Sequence, residues 1–101
     1  MERNEVRISG LVRELKSPRT SPAGVVHREL QLEHRSRQTV AGQMREVRAL
    51  VIVKVSGASL LAEVEQLQPG DRITVTGLLA QSSHRDATQL LIHAQAIVRF
   101  E

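Results

Sequence analysis

Residues 24–36 alternate between apolar and polar side chains. Val26, Leu30 and Leu32 fall on one parity. The other parity is polar and mostly charged: His27, Glu29, Gln31, Glu33 and Arg35. A period of two is typical of a β-strand with one face on a core and the other face in solvent. We therefore expect a strand over Val25–Ser36 that exposes its charged face.

Strand patterns recur elsewhere in the chain, with apolar rows rich in the β-branched residues that favour strand over helix. The predicted strands are Asn4–Leu15, Val25–Ser36, Gln43–Ser56, Asp71–Ala80 and Gln89–Phe100. In the last strand the expected apolar row is Leu90, Ile92, Ala94, Ala96 and Val98. A glycine at position 10 indicates a sharp bend or a bulge in the first strand.

The remaining segments have helix or loop patterns. Over Ala58–Leu67 the apolar spacing changes to that of a short helix, which ends before Pro69-Gly70. Ser59 is a candidate N-cap, in competition with Gly57 and Ser56. The segments between strands are expected to be loops: Lys16–Gly24, Arg37–Gly42 and Gln81–Thr88. In the third strand, Leu50 and Ile52 are apolar on the otherwise polar face, so this half is either covered on both sides or meets a partner subunit.

The element order therefore reads three strands, one short helix and two strands. This order is the pattern of a five-stranded OB-fold barrel, which is an all-β fold with a helix between strands three and four. At 101 residues the chain has room for a single domain, and we expect that domain to span residues 1–101. In such barrels the outer face of strands two and three, with the adjacent loops, accepts oligonucleotides.

Charge is concentrated in the middle of the chain. Residues 16–54 carry eight basic and three acidic side chains, although the net charge of the whole chain is only +3. Of the fourteen basic residues, twelve are arginine, which can bond a phosphate with two N–H groups and stack on a base. The excess falls on the predicted binding strands and suggests a polyanionic partner. On charge alone two alternatives stay open: a basic surface in solvent, and an arginine content that reflects codon bias.

The composition excludes several other functions. The chain has no cysteine, so neither a disulfide framework nor a thiolate metal site is expected. Its four histidines do not fall into a metal-binding or acid–base spacing, and no phosphate-binding glycine loop is present, so we expect no enzyme activity, metal or cofactor. The N-terminus has no apolar run of the signal-peptide type and no segment reaches membrane-spanning length, so a cytoplasmic protein without membrane contact is expected.

Several short motifs resemble one bacterial family. The first strand, Asn4–Gly10, and the turn into strand four, Leu67–Gly77, resemble bacterial single-stranded DNA-binding proteins. More narrowly, nearly the whole chain resembles the primosomal replication protein N (PriB) family through Ser21-Pro-Ala-Gly, Leu32-Glu-His-Arg-Ser, Val53-Lys-Val-Ser-Gly and Ile92-His-Ala. This resemblance implies a homodimeric, non-enzymatic OB-fold protein that binds single-stranded DNA and assists the primosomal helicase and other primosome proteins in replication restart.

The resemblance and the charge pattern together give candidate binding residues. By resemblance, Arg35 corresponds to the binding arginine in Glu-His-Arg-Ser, and Arg19 to a basic residue before the Ser-Pro turn. The charge pattern adds candidate phosphate ligands at Lys16, Arg37, Arg45, Arg48, Lys54 and Arg85. Arg45 has the parity of Val47, so its exposure would need a bulge or fraying. Where the family can place aromatics, this chain has Gln43 and Arg48, so binding is expected to rest on charge and to be weak for each subunit.

One alternative stays open from the sequence alone. The same barrel could act as a protein-interaction adaptor with weak or no intrinsic DNA binding, its basic face meeting an acidic partner. The missing aromatics favour this alternative. Competition between single-stranded DNA and a helicase for one face would separate shared from distinct sites.

Overall fold

A computed structural model describes residues 1–82 and 89–101. Within these residues the chain forms six strands and one helix, and no helix is long and apolar enough to span a membrane. The elements in chain order are β1 (Val6–Leu15), β2 (Arg19–Thr20), β3 (Val26–Val40), β4 (Gln43–Ser56), α1 (Ala58–Val64), β5 (Arg72–Gln81) and β6 (Leu90–Phe100).

The five long strands close into a ring. The order is β1-β5-β6-β4-β3, and β3 pairs again with β1. All pairings within the ring are antiparallel except the one between β4 and β6, where residues 52–54 run parallel to residues 91–93. The predicted all-β OB-fold is thus confirmed. The prediction of a pure loop over residues 16–24 is wrong in one detail, because the two-residue β2 pairs with β3.

The core of the ring is aliphatic. Leu30, Leu32, Val53 and Val55 from the central hairpin are at most 1% exposed. Helix α1 contributes Val64, also fully buried, and its partly buried leucines pack against the same cluster. The helix begins after Gly57, which occupies the N-cap position, so of the three candidate caps Gly57 is right and Ser59 is wrong. It also ends three residues earlier than expected, at Val64.

The hairpin of β3 and β4 extends well beyond the core. Residues 27–40 pair with residues 43–56 without interruption, and every side chain in 37–46 is exposed. We call residues 37–46 the arm. The predicted loop over Arg37–Gly42 is therefore wrong: only Ala41 and Gly42 form the turn, both with positive φ. Such a two-residue turn matches the twist of the strands it joins. The radius of gyration, 14.4 Å, exceeds the roughly 13 Å expected of a compact chain of this length, consistent with a projecting arm.

A bulge in β6 changes which of its residues face the core. Thr76 pairs with Ala96 and Gly77 with Ala94, so Gln95 has no partner in β5. The bulge reverses the parity beyond it, so Ile97 is buried whereas Val98 is 62% exposed. The predicted single row from Leu90 to Val98 is therefore right for Ile92 and Ala94, which face the core, and wrong beyond the bulge. Leu90, the first residue of the strand, is also exposed.

Gly10 lies where β1 passes from one partner strand to another. Its neighbours pair with β5 before this point and with β3 after it. A Cβ added to Gly10 would clash with the backbone carbonyl of Glu33. The sequence prediction that this glycine is required by the bend is consistent with this close approach.

Candidate nucleic-acid interface

The outward side chains of β3 and β4 form one continuous surface, which we call the hairpin face. On β3 they are His27, Glu29, Gln31, Glu33, Arg35 and Arg37. Directly opposite on β4 lie Ser56, Lys54, Ile52, Leu50, Arg48 and Glu46. Residues that are paired in register point to the same side of a sheet, so these two rows lie side by side.

Two arginines face each other at the point where the hairpin leaves the barrel. Arg35 of β3 is paired in register with Arg48 of β4, and both side chains are exposed. Like charges directly opposite each other disfavour a strand pair. Arg37, the next outward residue of β3, lies opposite Glu46, which compensates its charge. The Arg35–Arg48 pair is therefore an electropositive position that an anion would neutralise.

A second basic cluster lies at the other end of the hairpin face. Lys16, Arg19 and Lys54 line a surface cavity of about 470 Å³, together with His27 and Glu29. The Lys16 ammonium lies 3.7 Å from the Glu29 carboxylate, and Lys54 is paired in register with Glu29. Three cations thus share one carboxylate, which leaves the cavity with a net positive charge.

The middle of the hairpin face is less positive than its ends. Glu33 lies between the two basic clusters, and its carboxylate accepts a hydrogen bond from Arg13 at 3.1 Å and lies 4.0 Å from a guanidinium nitrogen of Arg35. Its cross-strand neighbour Leu50 is 63% exposed. Of the two alternatives stated for Leu50 from the sequence, burial on both sides within this chain is wrong. Contact with a partner subunit stays a prediction. Six residues of strand, about 20 Å, separate Glu29 from Arg35.

One predicted ligand lies on the opposite face of the hairpin, and another falls outside the described residues. Arg45 is paired with Gln38 on the opposite face of the arm. It is exposed without a bulge or fraying, because the arm has no core beneath it. Arg85 lies outside the described residues. The other six predicted ligands lie on the hairpin face or in the cavity at its end: Lys16, Arg19, Arg35, Arg37, Arg48 and Lys54.

Arg28, a further arginine within residues 16–54, makes structural contacts. The Arg28 side chain is only 14% exposed, and its Nε donates to the Lys16 carbonyl at 2.9 Å. One of its terminal nitrogens donates to the Glu65 carboxylate at 3.3 Å. Arg28 thereby ties the loop before β2 to the end of α1, and its parity with Leu30 and Leu32 is the sequence signal for this inward position.

Sequence reasoning missed three residues next to the hairpin face. Arg13 reaches Glu33 from β1, and Arg72 and Phe100 line a cavity with Arg35. No local pattern identifies them, because they come from strands distant in sequence and meet only through the register of the ring. Among residues 1–82 and 89–101, no group of His, Asp and Glu side chains could hold a metal ion.

The ring and its faces define a class of protein. A closed five-stranded ring, plugged by a short helix between its third and fourth strands and bearing a cationic hairpin on its outside, is an OB-fold barrel with a surface suited to an extended polyanion.

Comparisons with known proteins narrow this class. A family model described as "Another single-strand binding protein family" matches residues 4–96. The replication restart protein PriB of Vibrio cholerae is 38% identical over 95 residues, which cover 93% of this chain and 95% of that protein. PriB of Photorhabdus laumondii is 34% identical over 98 residues, covering 96% and 93%. The solved structure of PriB from Ralstonia solanacearum superposes with a TM-score of 0.85 at 20% identity, covering 99% of this chain and all of that one. The chain belongs to the PriB family of replication restart proteins, within the single-strand binding proteins.

Proposed function

We propose that this chain is a single-stranded DNA-binding accessory protein of the replication-restart primosome, and that residues 1–101 act as one binding unit. The observation that carries the proposal is the Arg35–Arg48 pair on the hairpin face, with a second cationic cluster at the other end of the same face. The relatives are named replication restart proteins, and these names support replication restart as the process in which the chain acts.

Binding on this face would act mainly through the DNA backbone. Each arginine or lysine that contacts a phosphate releases condensed counterions, and this release lowers log affinity by about 0.7 per contact for each tenfold rise in salt. Phosphate contacts carry no base information, so little sequence preference is expected. A duplex presents its phosphates on two strands in a fixed helix, whereas a single strand can follow one extended sheet face, so the single strand is the preferred ligand.

Membership of the family supports a proposal about partners. We propose that the chain acts as a homodimer in the cytoplasm, where it would supply DNA to the primosomal helicase. Two copies would double the number of cationic faces and raise the effective concentration of DNA at the second face once the first is occupied.

A protein-interaction adaptor remains the second candidate, and a specific observation favours it. Leu50 and Met44 are more than 60% exposed on the same outward rows as the arginines, and Glu33 and Glu46 interrupt the positive charge. Alternating apolar and charged side chains of both signs can complement a protein surface as well as a nucleic acid. In this case the helicase would bind the hairpin face and DNA affinity would be marginal.

Titration of fluorescent oligomers at two salt concentrations tests the proposal. Wild-type protein is titrated into a labelled single-stranded oligomer and into the matched duplex, and anisotropy is measured. We expect the single strand to bind more tightly, with a log–log salt slope steeper than about −1.4, which corresponds to at least two phosphate contacts.

A competition experiment with the helicase completes the test. Unlabelled primosomal helicase is added to the preformed complex to find out whether it releases the DNA. A flat salt dependence, or affinity for the helicase without affinity for any oligomer, would rule out backbone binding and favour the adaptor.

A further inference from the structure

A row of outward side chains crosses every strand of the ring. Phe100 of β6 is paired in register with Arg72 of β5, Arg72 with Leu11 of β1, Leu11 with Glu33 of β3, and Glu33 with Leu50 of β4. We call these five residues the cross-strand row. The row joins the hairpin face to the surface of the other three strands, so one extended ligand can contact both surfaces.

Phe100 has no role in the core. It is the only aromatic residue of the chain, yet it is 40% exposed and lies outside the buried aliphatic cluster. Burial of a phenylalanine is one of the largest hydrophobic gains available to a small protein. A chain with a single aromatic that leaves it on the surface has kept a flat apolar ring accessible to a ligand.

The Phe100 side chain lines a cavity that has both acidic and basic side chains. Phe100, Arg72 and Leu11 of the cross-strand row line a cavity of about 320 Å³ together with Arg35 and Glu33. A phosphate would meet the Glu33 carboxylate, so this is not a simple anion site. A nucleobase is neutral, has a flat face for Phe100 or a guanidinium, and has both donors and acceptors on its edge for Glu33 and the two arginines. The volume is at the lower end of ligand pockets, which suits one base and not a whole oligomer.

We propose that this cavity holds one unpaired nucleobase, stacked on Phe100, of a strand whose backbone lies on the hairpin face. Arg35 belongs to both surfaces, because it is paired with Arg48 on the hairpin face and also lines the cavity. A strand neutralised at the Arg35–Arg48 pair would therefore present an adjacent base to Phe100. This inference rests on the proposed function and adds a stacking contact outside the hairpin.

Substitution of the phenylalanine by tryptophan gives a direct test. The chain has no tryptophan or tyrosine, so Phe100→Trp introduces a single fluorophore in the cavity. Adding an oligothymidylate should quench its emission in proportion to occupancy measured independently by anisotropy. The matched control is Ser59→Trp, which places a tryptophan at an exposed position of α1 and should not be quenched. An emission shift that depends on protein concentration without DNA would mean that a second copy covers the cavity, and would overturn the proposal.

Affinity gives the second readout. Phe100→Leu keeps an apolar side chain but removes the ring, and it is compared with wild type on an oligothymidylate and on an abasic oligomer of equal length. Loss of one stacked base should weaken thymidylate binding by at least about fivefold and leave abasic binding unchanged. Urea unfolding of the variant confirms that it is folded at the temperature used.

The outcomes separate this proposal from the one it rests on. Base stacking is overturned if Phe100→Trp is not quenched, or if Phe100→Leu loses equal affinity for both oligomers. If wild-type binding is salt-dependent in either case, backbone binding still stands. No binding of wild type to any oligomer overturns both.

Discussion

At the scale of single residues, Arg28 and Arg48 show that one residue type has two different environments in this chain. Arg28 is on the inward parity of β3 and bonds the Lys16 carbonyl and the Glu65 carboxylate. Arg48 is on the outward parity of β4, opposite another arginine. Burial leaves Arg28 no access to a ligand, whereas Arg48 has no anionic partner in register. Within the part of the hairpin that covers the core, the parity of an arginine therefore decides whether it is held by its own chain or left exposed to a ligand.

Removal of Arg28 should lower stability. The Arg28→Ala variant leaves the Lys16 carbonyl without its donor and releases the end of α1, which we expect to cost about 1–2 kcal/mol in the free energy of unfolding. Urea unfolding followed by circular dichroism measures it. Arg13→Ala is the matched control, since its ion pair with Glu33 is exposed and should contribute less than about 1 kcal/mol. Equal losses in the two variants would contradict the assigned role of Arg28.

Removal of Arg48 should weaken DNA binding without affecting the fold. Arg48→Ala is expected to lower single-strand affinity several-fold for all sequences and to make the salt slope shallower by about 0.7. Arg45→Ala removes the same charge from the opposite face of the same hairpin and should change affinity much less. Anisotropy titrations at several salt concentrations measure both. If Arg45→Ala has the larger effect, the DNA lies on the other face of the arm.

At the scale of elements, the long hairpin departs most from what the sequence predicts. Residues 37–42 begin with three polar side chains, end at a glycine and contain no hairpin-type Asn-Gly or Asp-Gly pair, so they resemble a loop. They form strand because Arg37–Val40 find partners in Gln43–Glu46. Partner strands, not local propensity, decide such a segment.

The turn of the arm offers an element-scale prediction. Gly42 has φ +78°, so Gly42→Ala puts a Cβ in the left-handed region at a cost of about 1–2 kcal/mol. Because the arm has no core, this cost should appear as faster amide hydrogen exchange in residues 37–46, with little change in global unfolding. Ala41→Gly, at φ 53° in the same turn, should have the opposite effect. Unchanged exchange in both variants would show that the turn does not limit fraying of the arm.

The sequence predicts the ring better than it predicts the surface. Alternation identified the five long strands, and helical spacing identified the stripe of Leu60, Leu61, Val64 and Leu67, because each pattern lies within a single segment. The bulge at Gln95 could not be predicted, since it exists only relative to β5. The cross-strand row is hidden for the same reason. Six of the eight predicted ligands lie on or beside one face, because parity and loop position are local properties, and whether they bind DNA stays a prediction.

At the scale of the whole molecule, charge placement matters more than net charge. A net charge of +3 is small, yet the hairpin face has a cationic cluster at each end. Between them lie side chains of both charges and exposed apolar residues. Such a face attracts a polyanion at two places about 20 Å apart, so a strand long enough to reach both should bind better than two short ones.

The short parallel junction between β4 and β6 has a consequence for how the barrel opens. Only residues 52–54 and 91–93 close the ring there, whereas the β3–β4 ladder runs over the full length of both strands. We expect thermal breathing to start at this junction, so amides of residues 52–54 and 91–93 that bond across it should exchange faster than those between β3 and β4, as nuclear magnetic resonance can measure. The barrel would then open into a sheet between β4 and β6 while the hairpin of β3 and β4 keeps its shape.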